Sequence, residues 1–451
     1  MQERINFMDF NWDTYDLKNK TIRFTNCFIL QGEELISDYL WIRDGVIADG
    51  LSLFYTHKLT ADITIDAGGA VIAPGFIDIQ VNGAYGHDFS NPELDTCEVC
   101  REVALRLPHT GVTAFCPTII TSDKQTYTQI ISRFAQYVDQ PNCAQMLGLH
   151  LEGPFISKLR RGMHPKNRIL EFGPDPVKTL LDTYGRNLDI IRIVTIAPEI
   201  DGSSGAITEL ISCGVVVSIG HTDADCKALE RAIASGATLL THLFNAMPMF
   251  HHRHSHLLGG IIKPLSSLHV GIIADLVHVH PAALRLADAL APRRVILVTD
   301  ANTAFGLGDG SYTFGEQNIE VIKGVAYVTG TDCLAGGTTA LSVCVRNYWL
   351  EVCQHNTQQS ENQCGHWRGL GQALAAASTR PARVLGLYQR NMVAALAKGT
   401  LEPGADADLT IICPNSLRHT TKPTVKILST WIAGKPVFTD PAANLSVTAF
   451  S

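Results

Sequence analysis

Leu147-Gly-Leu-His-Leu-Glu-Gly-Pro-Phe-Ile-Ser-Lys-Leu-Arg-Arg-Gly-Met-His-Pro165 is the stretch that orders the rest of the chain. Together with Met146 its first residues form a short apolar run, of the length of a buried strand. The run delivers a carboxylate, Glu152, directly before Gly153-Pro154, where a strand cannot continue. A basic loop follows and closes on His164. An acid at the exit of a buried strand is costly unless it caps the next element, pairs with a cation or binds a metal. The stretch alone leaves these alternatives open; its neighbours in the sequence decide between them.

Seven further runs share its character, at 76–81, 112–118, 190–196, 215–219, 237–242, 269–274 and 295–299. Most are near-continuous Val, Ile, Leu and Ala, as expected of strands covered on both faces. Segments of helical length lie between most of them, at 92–107, 123–138, 203–213, 223–235 and 281–290. Thr222-Asp223 and His280-Pro281 are start signals for two of these helices. Eight βα units predict an α/β fold, a (β/α)8 TIM-like barrel. After the eighth run come a glycine-rich loop at 306–310, a hairpin over 313–328 and helical segments near 339–353 and 370–387. The polar stretch 355–366 between those helices is expected to be a surface loop.

Outside this region the pattern changes to short β-like pieces separated by turns. They fall at 22–30, 39–43, 46–48 and 63–66 in the first part, and at 409–413, 425–430 and 431–438 in the last. The economical reading is one small antiparallel β-sandwich domain built from 21–73 and 396–451, with the barrel inserted as 74–395. Residues 1–20 are polar and mixed in charge, and are expected to be a mobile or lightly docked extension.

Composition bounds the function. The apolar share is 46% and the charged share 18%, as in a globular protein. A net charge of -7, with no basic track, argues against nucleic acid as a partner. No apolar segment approaches the roughly 20 residues that cross a bilayer, so no membrane partner is expected. Of the twelve cysteines, Cys116, Cys213, Cys344 and Cys413 sit inside apolar runs, which suits reduced thiols in a cytoplasm. Cys97 and Cys100 form a lone CxxC, expected to be a coincidence of helix spacing.

In such a barrel the active site lies where the strands end. The exits carry Gln80 and Asn82, then Glu152, His221, His242, Asp275 with His278, and Asp300. A single histidine in an apolar setting is more often a satisfied core residue than a ligand. Two histidines and two acids facing one cavity are harder to explain that way. Glu152, His221 and His242 suit a divalent metal, with zinc the first choice for a mixed carboxylate and imidazole set. Such an ion activates water and acts as Lewis acid on a carbonyl, and Asp300 then has the task of moving the proton from water to the leaving group.

Six pieces of sequence carry a resemblance. They are Ala73-Pro-Gly-Phe-Ile-Asp-Ile-Gln-Val-Asn-Gly83, Leu149-His-Leu-Glu-Gly-Pro-Phe155, Gly220-His-Thr222, Thr241-His-Leu-Phe-Asn-Ala-Met-Pro248, Val298-Thr-Asp-Ala301 and Gly404-Ala-Asp-Ala-Asp-Leu409. From about 21 to about 438 the chain resembles the amidohydrolase superfamily, and within it the N-acetylglucosamine-6-phosphate deacetylases. Many superfamily members carry His-x-His on the first strand, which helps to hold a second metal. Gln80 and Asn82 stand there in this chain, so one ion per subunit is expected. The resemblance implies that His164 and His278 contact the sugar or its acetamide, and that Asn245 and Ala246 contact the phosphate. It implies that Arg253 reaches the phosphate in a neighbouring subunit, hence a homodimer. Arginine suits that task because its planar fork makes two charge-assisted hydrogen bonds. The segment His251-His-Arg-His-Ser-His256 is expected to be a mobile substrate loop, not a second metal cluster.

Two departures from the family pattern are Leu276, where glycine is usual, and Gly337, where serine is more common. The expected reaction is hydrolysis of the acetamide of N-acetylglucosamine 6-phosphate. The alternatives are deacetylation of another amino-sugar phosphate, or a silent scaffold. A silent scaffold has no physical need for Glu152, His221, His242 and Asp300 together.

Overall fold

The computed structural model describes residues 4–449, apart from 13, 187, 263–266, 354–366, 368, 390–396 and 414–423. The loop expected at 355–366 therefore lies outside the described residues. Eight parallel strands stand where the apolar runs predicted them. They are β1 (Phe76–Val81), β2 (Val112–Ile120), β3 (Leu149–Glu152), β4 (Ile191–Ile196), β5 (Val216–Ile219), β6 (Leu239–Leu240), β7 (His269–Ile273) and β8 (Val295–Val298). Each pairs with the next, so the order in the sheet is the order in the chain. Every residue of β1 and β2 is buried, which is why these strands are apolar without alternation.

The barrel closes between β8 and β1 by a looser seam. Asp300 N–H donates to the Gln80 carbonyl at 3.0 Å, and Asn82 N–H to the Ala301 carbonyl at 2.8 Å. Below it the buried Asp78 carboxylate accepts from the Thr299 hydroxyl at 2.5 Å, and burial pushes its pKa up to about 7. Helices cover the outside, and their starts are set by capping oxygens. Asp95 caps Thr96–Arg106, Asp123 caps Lys124–Phe134, and His280 with Pro281 begins Pro281–Leu290 as predicted. The start expected at Thr222-Asp223 is displaced: the helix is Cys226–Ala234, and its cap is Asp225. Thr222 and Asp223 bind elsewhere. Cys97 and Cys100 lie on the first covering helix.

The terminal segments form a mixed sheet, not an antiparallel one. Its central strand, Ile63–Pro74, runs parallel to Thr21–Gln31 and antiparallel to Leu409–Cys413 and Ser446–Ala449. The parallel pair arises because the chain between 32 and 62 makes an excursion through short strands and a helical turn before it returns in the same direction. The segment before 21 is docked to this sheet. Arg4–Asn6 pairs with the strand at 446–449, Phe7 is buried, and Phe7 and Trp12 pack on Trp431.

Two features fix the sheet to the barrel. Ile63–Pro74 passes through Gly75 straight into β1, and a Cβ at Gly75 would stand 2.0 Å from the Thr113 hydroxyl oxygen. Buried Arg380 donates to both carboxylate oxygens of Glu33, at 3.0 and 3.2 Å, and to the Val295 carbonyl where β8 begins. After β8 the expected hairpin is a three-stranded meander, Gly310–Phe314, Gln317–Ile322 and Val325–Val328. Its Phe314 packs in one cluster with Ile120 and Met163 at the barrel mouth.

Candidate metal centre and substrate cavity

Glu152 ends β3, and His221 and His242 lie two residues beyond β5 and β6. Gly220 permits the close approach of these exits, since a Cβ there would stand 2.7 Å from that of Thr241. His221, His242 and Asp300 adopt φ values of 47°, 28° and 48°. Left-handed backbone is rare for such residues and persists only where the surroundings impose it. Three of the site side chains are therefore aimed by turns that the fold holds under strain.

The donor atoms converge. Oε1 of Glu152 lies 3.2 Å from Nε2 of His221 and 3.0 Å from Nε2 of His242, and the two nitrogens are 3.1 Å apart. All three residues are buried. Among the described residues they are the one group of three with metal-ligand spacing. The tautomer of His221 is fixed from outside: its Nδ1 lies 2.9 Å from the Arg160 carbonyl, which only accepts, so Nδ1 carries the proton. A neutral His221 then turns a lone pair toward a carboxylate and a second imidazole. One proton on His242 Nε2 would have to serve both, and it would leave His242 Nδ1 buried without a partner. Three converging Lewis bases are poorly satisfied by protons and well satisfied by a divalent cation, so the residues fit a metal.

Asp300 stands beside this group. Asn82 Nδ2 donates to its Oδ1 at 2.7 Å, and Gln80 Nε2 donates to the same oxygen at 3.1 Å. Gln80 Nε2 also reaches Glu152 Oε1 at 2.9 Å. Burial, reinforced by the Glu152 charge, pushes the Asp300 carboxyl up to about 6. Burial works against the charge of Glu152 too, but the flanking imidazoles outweigh it and hold that carboxyl well below its usual range.

A cavity of about 240 Å³ opens over these groups. Glu152, His221, His242 and Asp300 line it, and so do His164, Asn245, Ala246 and His278. His164 Nδ1 accepts from the Thr121 N–H at 3.3 Å, so its proton sits on Nε2; burial lowers its pKa to about 3. His278 Nδ1 lies 2.7 Å from Asp275 Oδ2, and Asp275 Oδ1 takes the His278 N–H. Ile120, Met163, Phe314 and Leu334 make an apolar wall. Arg253 is not brought to this cavity: it is exposed in the turn closed by His251 and His254. The histidines of that turn stack on one another at the surface.

Sequence reasoning missed several supports. Gln80 and Asn82 were expected to matter through the imidazoles they replace; here their amide groups hold Asp300. The meander wall carries no motif. Gly337 has a local reason: a Cβ there would stand 2.3 Å from the Thr299 carbonyl oxygen, so serine does not fit this backbone. Leu276 holds φ 66°, where glycine would sit without strain.

With this geometry in place, the chain is set beside known proteins. Residues 71–437 match the model of a family described as the amidohydrolase family. The chain is 41% identical over 433 residues to the human N-acetylglucosamine-6-phosphate deacetylase, covering 94% of this chain and 97% of that protein. It is 33% identical over 389 residues to the Bacillus subtilis protein of the same name, covering 85% and 91%. Its fold is similar to that of a variant N-acetyl-D-glucosamine-6-phosphate deacetylase from Mycobacterium smegmatis, solved in complex with N-acetyl-D-glucosamine-6-phosphate. The TM-score is 0.75 at 30% identity, over 94% of this chain and 100% of that one.

Proposed function

The chain belongs to the amidohydrolase family, and we propose that it hydrolyses the acetamide of N-acetyl-D-glucosamine 6-phosphate to D-glucosamine 6-phosphate and acetate, in amino-sugar metabolism. The observation that carries this reading is the convergence of Glu152, His221 and His242 beside Asp300, in a chain similar along most of its length to deacetylases of that sugar phosphate.

Glu152, His221 and His242 would hold one ion, with zinc our choice for two imidazoles and a carboxylate. When bound, it supplies Lewis acidity toward the carbonyl and lowers the pKa of water. Both amide donors grip Oδ1 of Asp300, which leaves Oδ2 to take a proton from the attacking water and return it to the leaving nitrogen. His164 offers an Nε2–H to the sugar or its acetamide. His278, held by Asp275, also meets the sugar or its acetamide, and Asn245 and Ala246 meet the phosphate. A single ion is supported by the engagement of Gln80 and Asn82 with carboxylates, where a second ion would need imidazoles.

Arg253 serves the neighbouring subunit of a homodimer in this reading. Its exposure outside its own cavity, next to exposed Met249 and Phe250, supports that assignment. Cys100, Cys116 and Cys344, buried as thiols, support a reducing cytoplasm.

The test is release of acetate from N-acetylated amino sugars, with and without the 6-phosphate, before and after chelation. Activity confined to the phosphorylated glucosamine derivative, lost on chelation and restored by zinc, is the expected result. Equal turnover of unphosphorylated sugars refutes the phosphate reading. Mixed dimers of Arg253→Ala and Asp300→Asn chains should regain activity, and no gain in dimers shown to be mixed refutes the arginine's reach.

A further inference from the structure

We propose that Glu199, beyond the exit of β4, is a positioning residue of the metal centre that holds His221 through the two residues after it. The inference rests on the reading of Glu152, His221 and His242 as a metal site.

His221 sits in left-handed backbone, so something must hold it there. Both oxygens of Glu199 are spent on this task. Oε2 accepts from the Thr222 hydroxyl at 2.5 Å, and Oε1 accepts from the Asp223 N–H at 2.7 Å. Thr222 is fully buried, and neither residue caps the helix that follows, since Asp225 does so. Glu199 is itself on a fixed turn: the Ala197 N–H donates to the Phe155 carbonyl at 2.9 Å, and the Ser203 hydroxyl to the Pro198 carbonyl at 2.8 Å.

The bracket continues to the far side of the imidazole. Arg160 Nε–H donates to Asp223 Oδ1 at 2.7 Å. The carbonyl of the same Arg160 takes the proton of His221 Nδ1, and the Ser157 N–H donates to the His221 carbonyl at 2.8 Å. The contacts close a ring, from Glu199 to Asp223, to Arg160, to His221 and through Thr222 back to Glu199. The residue that sets the ring's tautomer is thus tied to the residue that Glu199 holds. His242 has no such support, because its Nδ1 is buried without a partner. The anchored imidazole is the one whose orientation pre-forms the site, and loss of outer supports of this kind typically costs 10–100-fold in metal affinity.

The experiment uses the full-length protein stripped of metal, titrated with zinc against a chromophoric chelator, and then followed for zinc release. Absence of tight zinc binding in the unmodified protein would refute the underlying site, not Glu199. Given wild-type binding, Glu199→Ala should bind zinc 10–100-fold more weakly and release it faster. Glu199→Gln should recover most of the loss, because its amide oxygen accepts from Asp223 and its amide nitrogen donates to Thr222. Asp95→Ala, which uncaps an outer helix, should lower thermal stability and leave zinc affinity unchanged. Wild-type affinity in folded Glu199→Ala overturns the proposal, and so does an equal loss in Asp95→Ala. If Glu199→Ala does not fold, Thr222→Val decides: a smaller shift in the same direction supports the bracket, and unchanged affinity overturns it.

Discussion

Two polar clusters, each containing histidine, lie in adjacent layers of one barrel and resolve their hydrogen bonds differently. In the inner cluster His150 Nδ1 faces the Ile79 carbonyl at 3.0 Å, so it carries the proton and Nε2 accepts from the Thr195 hydroxyl at 2.8 Å. Thr195 then accepts from Thr241 at 2.9 Å, and Thr241 from Ser218 at 2.5 Å. Every proton has one place to go, and burial lowers the His150 pKa to about 4. Two residues further along β3, and one residue beyond Thr241, lie Glu152 and His242. There the same chemistry cannot close, because three lone pairs converge and His242 Nδ1 has no partner. Residue type and burial are shared by the two clusters. The balance of donors and acceptors separates a structural histidine from a ligand.

The largest expected effect tests that difference directly. His242→Ala should lose most bound metal and nearly all turnover, with metal content read by elemental analysis. In the metal-free protein the substitution removes one of the imidazoles that hold buried Glu152 ionised, but also a group that protons serve poorly, so the melting temperature should fall only modestly. A marked fall would make the outer cluster structural, like the inner one. Asp300→Asn comes next. It should keep the metal and the fold but lose about 10²–10⁴-fold in kcat, as removal of a general acid–base does. Turnover near wild type would mean that another group moves the proton.

The outer cluster was legible in the sequence because each member interrupts an apolar run at its end. Glu152, His221, His242 and Asp300 are conspicuous for the same reason that β3, β5, β6 and β8 are: the strands are mostly apolar runs, so a carboxylate or imidazole at the exit stands out. The supports were illegible because their partners are remote in sequence and ordinary in type. Glu199 looks like any turn acid, and Thr222-Asp223 resembles a helix start until Asp225 takes that place. The N-terminal residues seemed loose because their aromatic partner, Trp431, lies at the other end of the chain. The parallel pairing of Thr21–Gln31 with Ile63–Pro74 depends on the path of the intervening excursion, which strand propensity does not encode.

A smaller effect is expected at the seam that carries Asp300. Gly337 N–H donates to the Asp300 carbonyl at 2.6 Å, and a Cβ at 337 would collide with the Thr299 carbonyl oxygen. Gly337→Ser should push the exit of β8 aside while Gln80 and Asn82 still hold the carboxylate. A misplacement of this order typically costs up to about 10²-fold in rate, so kcat should fall by roughly 10- to 100-fold with metal content unchanged. Unchanged kcat would show that the two amides alone set the carboxylate, and that the backbone relaxes around the added atoms.

The smallest effect on catalysis, and the sharpest test of the contrast, belongs to His150. Replacement by leucine keeps the barrel interior filled but orphans the Ile79 carbonyl and the Thr195 hydroxyl. Each orphaned buried group costs about 1–3 kcal/mol, so chemical denaturation should show a loss of that order. Thr195 can recover part of it by turning its hydroxyl toward Thr241, which then donates to Ser218; the chain of hydroxyls reverses direction without moving an atom heavier than hydrogen. Such a reversal leaves Thr241 in place, and with it the turn that carries His242. His150→Leu should therefore be less stable yet bind zinc and turn over substrate much as wild type does. If zinc affinity instead falls as far as in the ligand variants, the inner cluster is holding His242 through Thr241. The two clusters would then be a single unit, with the satisfied half orienting the unsatisfied one.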